Sequence, residues 1–112
     1  MASLIYNFWK AQVGNALYNW ASDTFKLSLH TNAYVPDQDN HDYYDHVTNE
    51  VASAGYTAGG ATLVGKTTTQ DNVNNRADFD ANDVTWLSVS FTTRYGVLYK
   101  STGAAATSPL LS

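Results

Sequence analysis

The chain has no cysteine, one methionine and two prolines among its 112 residues. Without cysteine there is no disulfide framework, no thiolate nucleophile and no cysteine-ligated zinc. Basic residues are also scarce: six Lys and Arg stand against ten Asp and Glu, for a net charge of −4. This balance argues against nucleic-acid and anionic-lipid partners, both of which require clustered positive charge. No apolar run has the length of a membrane span, and the N-terminus does not have the pattern of a signal peptide.

Branched and aromatic side chains are abundant. Thr, Val, Tyr, Phe, Trp and Ile outnumber the straight-chain helix formers Glu, Gln, Lys, Arg and Met by more than three to one. Such side chains fit a pleated surface and lose rotamer freedom in helices. The hydrophobic fraction of 44% is that of a globular protein. The composition therefore predicts one β-rich domain over residues 1–112.

Only one segment, near the N-terminus, is typical of a long helix. Residues 3–13 carry apolar side chains at helical spacing after a potential cap at Ser3. Gly14-Asn15 is a natural end, because both residues tolerate the left-handed conformation. Beyond it we predict a strand over residues 16–20, although the helix could extend through that segment.

The remaining elements are short strands separated by turn residues. Over residues 24–31 apolar and polar side chains alternate, which predicts that Leu27 faces the core and that His30 is exposed. We further predict a single helical turn over 41–47, strands over 61–69 and 76–80 with a turn over 71–75, and a long strand over 87–99 with a bend at Gly96. Together these elements predict an all-β fold, an antiparallel β-sandwich or a small barrel with a short N-terminal helix.

Residues 60–67, Gly-Ala-Thr-Leu-Val-Gly-Lys-Thr, match the phosphate-binding pattern G-x-x-x-x-G-K-[ST]. The pattern needs a buried strand before it and a helix after it, whose N-terminus faces the phosphates. Here Thr67-Thr68-Thr69 follows, and branched residues are poor helix formers. We therefore interpret the segment as strand and predict no cofactor.

An acidic stretch over residues 37–46 contains four Asp together with His41 and His46. Carboxylates and imidazoles at close spacing can hold a divalent cation. The stretch lacks the Gly and Glu of a helix–loop–helix calcium site, and its two His are five residues apart rather than four. A solvated loop is the favoured interpretation, and no metal is predicted.

The other polar residues form no catalytic pattern. Asp78, Asp80 and Asp83 surround a turn beside Asn82, which explains them as turn formers rather than paired acid–base carboxylates. No strand–turn–helix motif for a nucleophile is present. The residues themselves thus predict a protein that is not an enzyme.

A series of short motifs runs in order through the last four-fifths of the chain. The motifs are Phe25–Thr31, Tyr34–Tyr43, Asn49–Val51, Gly55–Leu63, Lys66-Thr67, Phe79–Trp86, Arg94–Lys100 and Thr107–Leu110. Together they resemble small virion structural proteins of tailed bacteriophages. The resemblance implies a non-enzymatic component of the virion, present in the host cytoplasm during assembly, whose partners are other virion proteins.

Within that class we expect a capsid decoration protein of cement or head-fibre type, bound to the major capsid protein in many copies. Negative charge suits an outer surface, where it keeps particles apart. A tail or tail-fibre component is one alternative. A carbohydrate- or cell-surface-binding module is another, with Trp9, Trp20 and Trp86 as flat platforms, although the phases of the aromatic residues in the strands favour a core role.

The end of the chain suggests where partners bind. It stops soon after Pro109-Leu110-Leu111 without an obvious last strand, which would leave a sheet edge uncovered. We therefore predict a homo-oligomer or docking onto the particle. The predicted interface residues include two loop tyrosines, a residue type that often anchors interfaces; they are Tyr43, Tyr44, Pro109, Leu110 and Leu111.

Overall fold

The structure is a computed structural model that describes residues 4–86 and 91–112. Its helix α1 spans Asn7–Gln12, and its strands are β1 (Phe25–His30), β2 (Ala61–Thr62), β3 (Thr67–Asp71), β4 (Arg76–Asp80) and β5 (Tyr95–Lys100). All strand pairs are antiparallel, in a three-stranded sheet of order β2-β1-β5 and a separate β3-β4 hairpin. The predicted β-rich class with one short N-terminal helix is confirmed. None of the helices described has the length and apolarity of a membrane span.

Helix α1 is shorter than the predicted helix over residues 3–13. It begins after Tyr6, whose backbone is extended and whose side chain caps nothing. The chain then continues as a 3-10 turn through the predicted end at Gly14-Asn15, and Ala16 takes the left-handed conformation with φ of 57°. The predicted cap Ser3 lies outside the described residues.

The predicted strand over residues 16–20 is wrong. This segment leads into a turn that is held by Asn19, whose side-chain oxygen accepts hydrogen bonds from the N–H groups of Ala21 and Ser22. The N–H of Asp23 also donates to the backbone oxygen of Asn19, at 2.9 Å. A short polar side chain that bonds its own backbone favours a turn over a ladder.

Strand β1 lies where it was predicted, and Phe25 on its predicted core face is fully buried, but the opposite face is buried as well. Ser28 and His30 are fully buried, whereas Leu27 and Leu29 are only half-buried. The register explains this difference, because Ser28 pairs with Val97 and directly paired residues share a face.

The hydrophobic core lies on this face of the sheet. Its buried members come from α1's start, from the loop after β1, from β5 and from the C-terminus: Tyr6, Tyr34, Val97, Tyr99 and Leu110. Tyr44 and Val47 pack against them. The single helical turn predicted over residues 41–47 is a 3-10 turn over Tyr44–His46. The irregular segment that follows β1 therefore folds back over the sheet and covers the face of β1 that carries Ser28 and His30.

The C-terminal segment covers the β5 edge of the three-stranded sheet, and residue 51 bonds to β1 beyond the short strand β2. Along β5, the N–H of Lys100 donates to the oxygen of Pro109 at 2.9 Å, and the N–H of Leu111 donates to that of Leu98 at 2.9 Å. Along β1, the N–H of Val51 donates to the oxygen of Leu29 beside the short strand β2. The prediction of an uncovered edge next to the C-terminal segment is thus wrong: the segment itself is the cover.

The predicted strand over residues 61–69 is divided in two, because the chain turns at Gly65, where φ is 64°. The turn over 71–75 and the strand over 76–80 are confirmed. Of the predicted long strand, residues 87–90 lie outside the described part, residues 91–94 are irregular, and β5 begins at Tyr95. The predicted bend at Gly96 is wrong, because Gly96 lies inside β5 and pairs with Leu29.

Candidate functional site

The two predicted interface tyrosines occupy different environments. Tyr43 is half-buried, with its ring 5.1 Å from that of Phe8. The ring of Tyr44 stacks on Tyr99 at 4.0 Å, and its hydroxyl is buried. Burial raises the pKa of Tyr44 and raises that of Tyr99 to about 12. Both side chains are half-buried, but Tyr44 packs its ring and its hydroxyl against the core, whereas Tyr43 packs on Phe8 outside it.

The C-terminal residues predicted at the same interface are buried inside the chain. Pro109 and Leu110 are fully buried, and Leu111 is 5% exposed. Pro109 forms a bridge with Tyr43, and Leu110 forms one with Tyr99. In this conformation the C-terminal residues join the predicted interface loop to the sheet and offer no contact area themselves.

The phosphate-loop match does not form a phosphate site. Strand β2 lies inside the motif, and β3 begins at Thr67, where a phosphate loop would have a helix. The ammonium of Lys66 donates to the backbone oxygen of Asp23 and lies 5.1 Å from the centre of the Phe25 ring. Within residues 60–67 the chain is strand at Ala61–Thr62 and again from Thr67, so the strand interpretation is confirmed at these positions and not for residues 63–66.

The acidic stretch is a hydrogen-bonded loop. The carboxylate of Asp37 accepts from the N–H groups of Asp39 and Asn40 and from the Asn40 side chain, which holds the pKa of Asp37 below its usual range. The Nδ1 atoms of His41 and His46 accept from backbone N–H groups. Within residues 4–86 and 91–112 no three His, Asp or Glu side chains are grouped so that they could hold a metal ion.

The Asp residues of the later segment have separate structural contacts. Asp80 accepts from the N–H of Ala81 at the end of β4, but residues 81–83 are irregular, so the predicted turn around Asn82 is wrong. Asp78 instead lies within β4, where its carboxylate is 3.0 Å from the Arg76 guanidinium.

The structure reveals a buried polar pair that the sequence did not predict. Ser28 Oγ is 2.7 Å from Nε2 of His30, and Nδ1 of His30 is 2.9 Å from the backbone oxygen of Thr48. Because a carbonyl only accepts, Nδ1 carries the hydrogen and neutral His30 accepts from the Ser28 hydroxyl. Burial lowers the pKa of His30 below the ordinary 6.5.

This pair has the arrangement of an activated hydroxyl with an oriented base. Both side chains are 0% exposed, so no substrate can reach Ser28 Oγ in this conformation. The prediction that His30 is exposed is therefore wrong. Its ring nitrogens are hydrogen-bonded to Ser28, two residues away, and to Thr48, eighteen residues away. A local sequence pattern does not reveal a partner as distant as Thr48.

A second hydrogen-bond network holds the loop between Glu50 and Gly59 against β1. The hydroxyl of Tyr56 donates to Glu50 and accepts from the N–H of Leu29 at 3.0 Å. Glu50 also accepts from the N–H of Gly59 at 2.7 Å, and Tyr99 donates to the oxygen of Gly59 at 2.6 Å. Burial and the bond to Glu50 raise the pKa of Tyr56. The network links loop to sheet and leaves the carboxylate engaged.

Two of the tryptophans proposed as sugar platforms are half-buried and pack on aromatic rings of this chain. The ring of Trp9 packs edge-on to Tyr18 at 4.6 Å. Trp20 packs on Phe25 at 4.7 Å and on Phe79 at 5.9 Å. Such ring–ring contacts are typical of aromatic side chains that stabilise the fold.

The accessible part of the predicted site is therefore the loop that carries Tyr43 and Tyr44, both of them half-buried. Comparison of the chain with models of protein families, with curated proteins and with solved structures finds no match.

Proposed function

We propose that this chain is a non-enzymatic structural protein of a tailed-bacteriophage virion and, within that class, a capsid decoration protein. It binds the particle in many copies through the major capsid protein, as a homo-oligomer, with no nucleic-acid or membrane partner. It is present in the host cytoplasm only until assembly. The finer architecture, a sandwich or small barrel, belongs to the same proposal.

The observation that carries the proposal is the convergence of the resembling motifs in space. Phe25–Thr31 contains β1, Arg94–Lys100 contains β5, and Thr107–Leu110 leads into the segment beside β5. Tyr34–Tyr43 supplies the loop over the core, through Tyr34. The motifs on which the resemblance rests thus lie together in one packed unit, which is the unit that we propose docks on the particle.

The surface supports an outward-facing role. Asp39 and Asp45, in the acidic loop, are exposed, and the chain has a net charge of −4. Negative charge on a decorated particle discourages aggregation. Tyr43, beside these carboxylates, offers aromatic surface of the kind that anchors interfaces.

Electron microscopy of virions that encode this chain tests the proposal directly. We expect density of the size of this domain repeated over the capsid lattice, and mass spectrometry of purified virions should find the chain in many copies. Repeated density on the tail would overturn the decoration role, and absence from purified virions would overturn the structural role.

Binding to particles that lack the chain tests the contact. Tyr43→Ala should weaken co-sedimentation with such particles, because it removes half-exposed aromatic area. Val73→Ala, at a residue that is 88% exposed in the hairpin turn, is the control and should bind normally. Equal binding by both variants would exclude Tyr43 from the interface.

A further inference from the structure

The acidic loop is closed by a histidine that acts as a hydrogen-bond acceptor. Nδ1 of His46 accepts from the backbone N–H of Asp42 at 3.0 Å and, less closely, from that of Tyr43 at 3.5 Å. A backbone N–H can only donate, so Nδ1 has a free lone pair and the hydrogen of the neutral ring is on Nε2. Nε2 lies 3.8 Å from a carboxylate oxygen of Asp45, which agrees with this tautomer. The closed loop therefore needs the neutral form of His46.

The same turn is bonded to the C-terminal segment that covers β5. The N–H of Leu110 donates to the oxygen of Asp42 at 2.9 Å, and the N–H of Tyr44 donates to that of Ser108 at 2.8 Å. Asp42 thus donates to His46 through its N–H and accepts from Leu110 through its oxygen. The position of this one residue depends on both the imidazole ring and the C-terminal segment.

The charged groups near His46 act on its ring in opposite directions. The side chain is 42% exposed, so a proton from solvent reaches it without any opening of the fold. Asp45 favours a positive ring, whereas a charged His41, whose ring centre is 6.0 Å away, would oppose it. The C-terminal segment that packs on the turn, residues 104–111, has no titratable side chain.

The elements on the other side of the turn add little charge. Helix α1, whose Phe8 packs on Tyr43, has one charged residue, Lys10. Tyr18 donates its hydroxyl to the oxygen of Leu110, and burial raises the pKa of Tyr18, so this phenol stays neutral near neutral pH. The nearest compensating charge for a protonated ring is therefore the Asp45 carboxylate.

We propose that the His46 turn is a pH-sensitive latch, which is closed when the ring is neutral and open when the ring is protonated. Protonation puts a hydrogen on Nδ1, opposite the N–H groups of Asp42 and Tyr43, so that donors face donors and the bonds are lost. The ring then keeps only its contact with Asp45. Histidine changes its charge between about pH 5 and 8, which sets the range in which the latch works. Opening loosens Asp42 and, with it, the bond to Leu110.

The latch is separate from any effect of the buried His30. The partners of His30 are Ser28 and the oxygen of Thr48, so its protonation acts on the sheet and not on the turn. The latch is a property of the isolated chain. Only its consequence for docking, a contact through Tyr43 that depends on pH, rests on the function proposed above.

Hydrogen exchange of the full chain tests the latch, when it is followed by NMR at about pH 7.5 and about pH 5.5 and corrected for the intrinsic exchange rates. We expect the protection of the Leu110 and Tyr44 amides to fall about tenfold at the lower pH, as the loss of a hydrogen bond implies. The amide of Leu63, which donates to the oxygen of Phe25 at the other edge of the sheet, is the internal control. Its protection should fall less, because it does not depend on the turn.

His46→Asn is the matched variant, because the side-chain oxygen of Asn accepts from backbone N–H groups but does not titrate. It should remain closed at both pH values, whereas His41→Asn should still open at the lower one. The nitrogen chemical shifts of the His46 ring in the unaltered chain give an independent measurement: Nδ1 should carry no hydrogen at about pH 7.5, and its protonation should coincide with the loss of Leu110 protection. The proposal would be overturned by a hydrogen on Nδ1 at the higher pH, by an equal loss at Leu63, or by an unchanged pH response in His46→Asn.

Discussion

At the scale of single residues, the unexpected feature is the polar character of the buried face of β1. His30 is 0% exposed, yet both ring nitrogens have partners, at Ser28 and at the oxygen of Thr48. Buried polar groups are tolerated when they are hydrogen-bonded. The hydroxyl of Tyr44 is the exception among the described residues, since it is buried without a partner.

The buried His30 predicts a pH dependence of stability. Because burial holds its pKa below 6.5, the unfolded chain binds more protons than the folded chain as the pH falls below that value. The free energy of unfolding should therefore be full above about pH 6.5 and decrease at lower pH. Urea unfolding at a series of pH values measures this slope. His30→Gln, which cannot titrate, should reduce the slope, and an unchanged slope would exclude His30 as its source.

The unpartnered hydroxyl predicts an unusual response at Tyr44. Tyr44→Phe removes a buried polar atom and keeps the ring that stacks on Tyr99, so stability should stay equal or rise by about 1 kcal/mol. Tyr44→Ala removes the ring and should cost about 3 kcal/mol or more. Thermal unfolding of the two variants compares them. A clear loss in Tyr44→Phe would mean that the hydroxyl has a partner after all.

At the scale of elements, close backbone approach decides how β2 meets β1. Gly60 has φ of +84°, and a Cβ there would lie 2.0 Å from the backbone oxygen of Leu27. The first glycine of the phosphate-loop match is thus required by strand packing. The backbone oxygen of Leu27 cannot move without disturbing β1, which is paired on both sides.

Gly60→Ala should therefore destabilise the protein by about 2 kcal/mol or more, through strain in both φ and the Leu27 contact. Gly103→Ala is the matched control, because Gly103 has φ of +92° but nothing within 4 Å of an added Cβ. Its cost should be about 1 kcal/mol, from φ alone. Chemical denaturation gives both values, and equal losses would contradict the role of close approach.

At the scale of the whole molecule, the two chain ends complete the core together. The N–H of Tyr6 donates to the oxygen of Leu111 at 3.1 Å, and the hydroxyl of Ser112 donates to that of Leu4 at 2.7 Å. Leu110, between them and β5, is 0% exposed. Residues 109–111 are therefore part of the packed core.

Leu110→Ala should lower the free energy of unfolding by about 2–5 kcal/mol, because it leaves a cavity in a fully packed site. Val64→Ala, at a residue that is 59% exposed, should change it by less than about 0.5 kcal/mol. Urea unfolding followed by tyrosine and tryptophan fluorescence distinguishes them. Similar small losses in both would show that the C-terminal segment is not part of the cooperative core.

The sequence by itself determined the β-rich class, the positions of β1 and β4, and the turn between β3 and β4, because composition, alternation and turn chemistry are local properties. It also excluded a phosphate loop, since branched residues stand where a helix must begin. Only the tertiary structure decided that the polar face of β1 is buried in addition to Phe25 on the other face. Alternation defines two faces of a strand, but the register with β5 and the loop that carries Tyr34 place core residues against Ser28 and His30. Likewise, the cover of β5 by residues 109–112 depends on contacts between distant segments, which a local pattern does not contain.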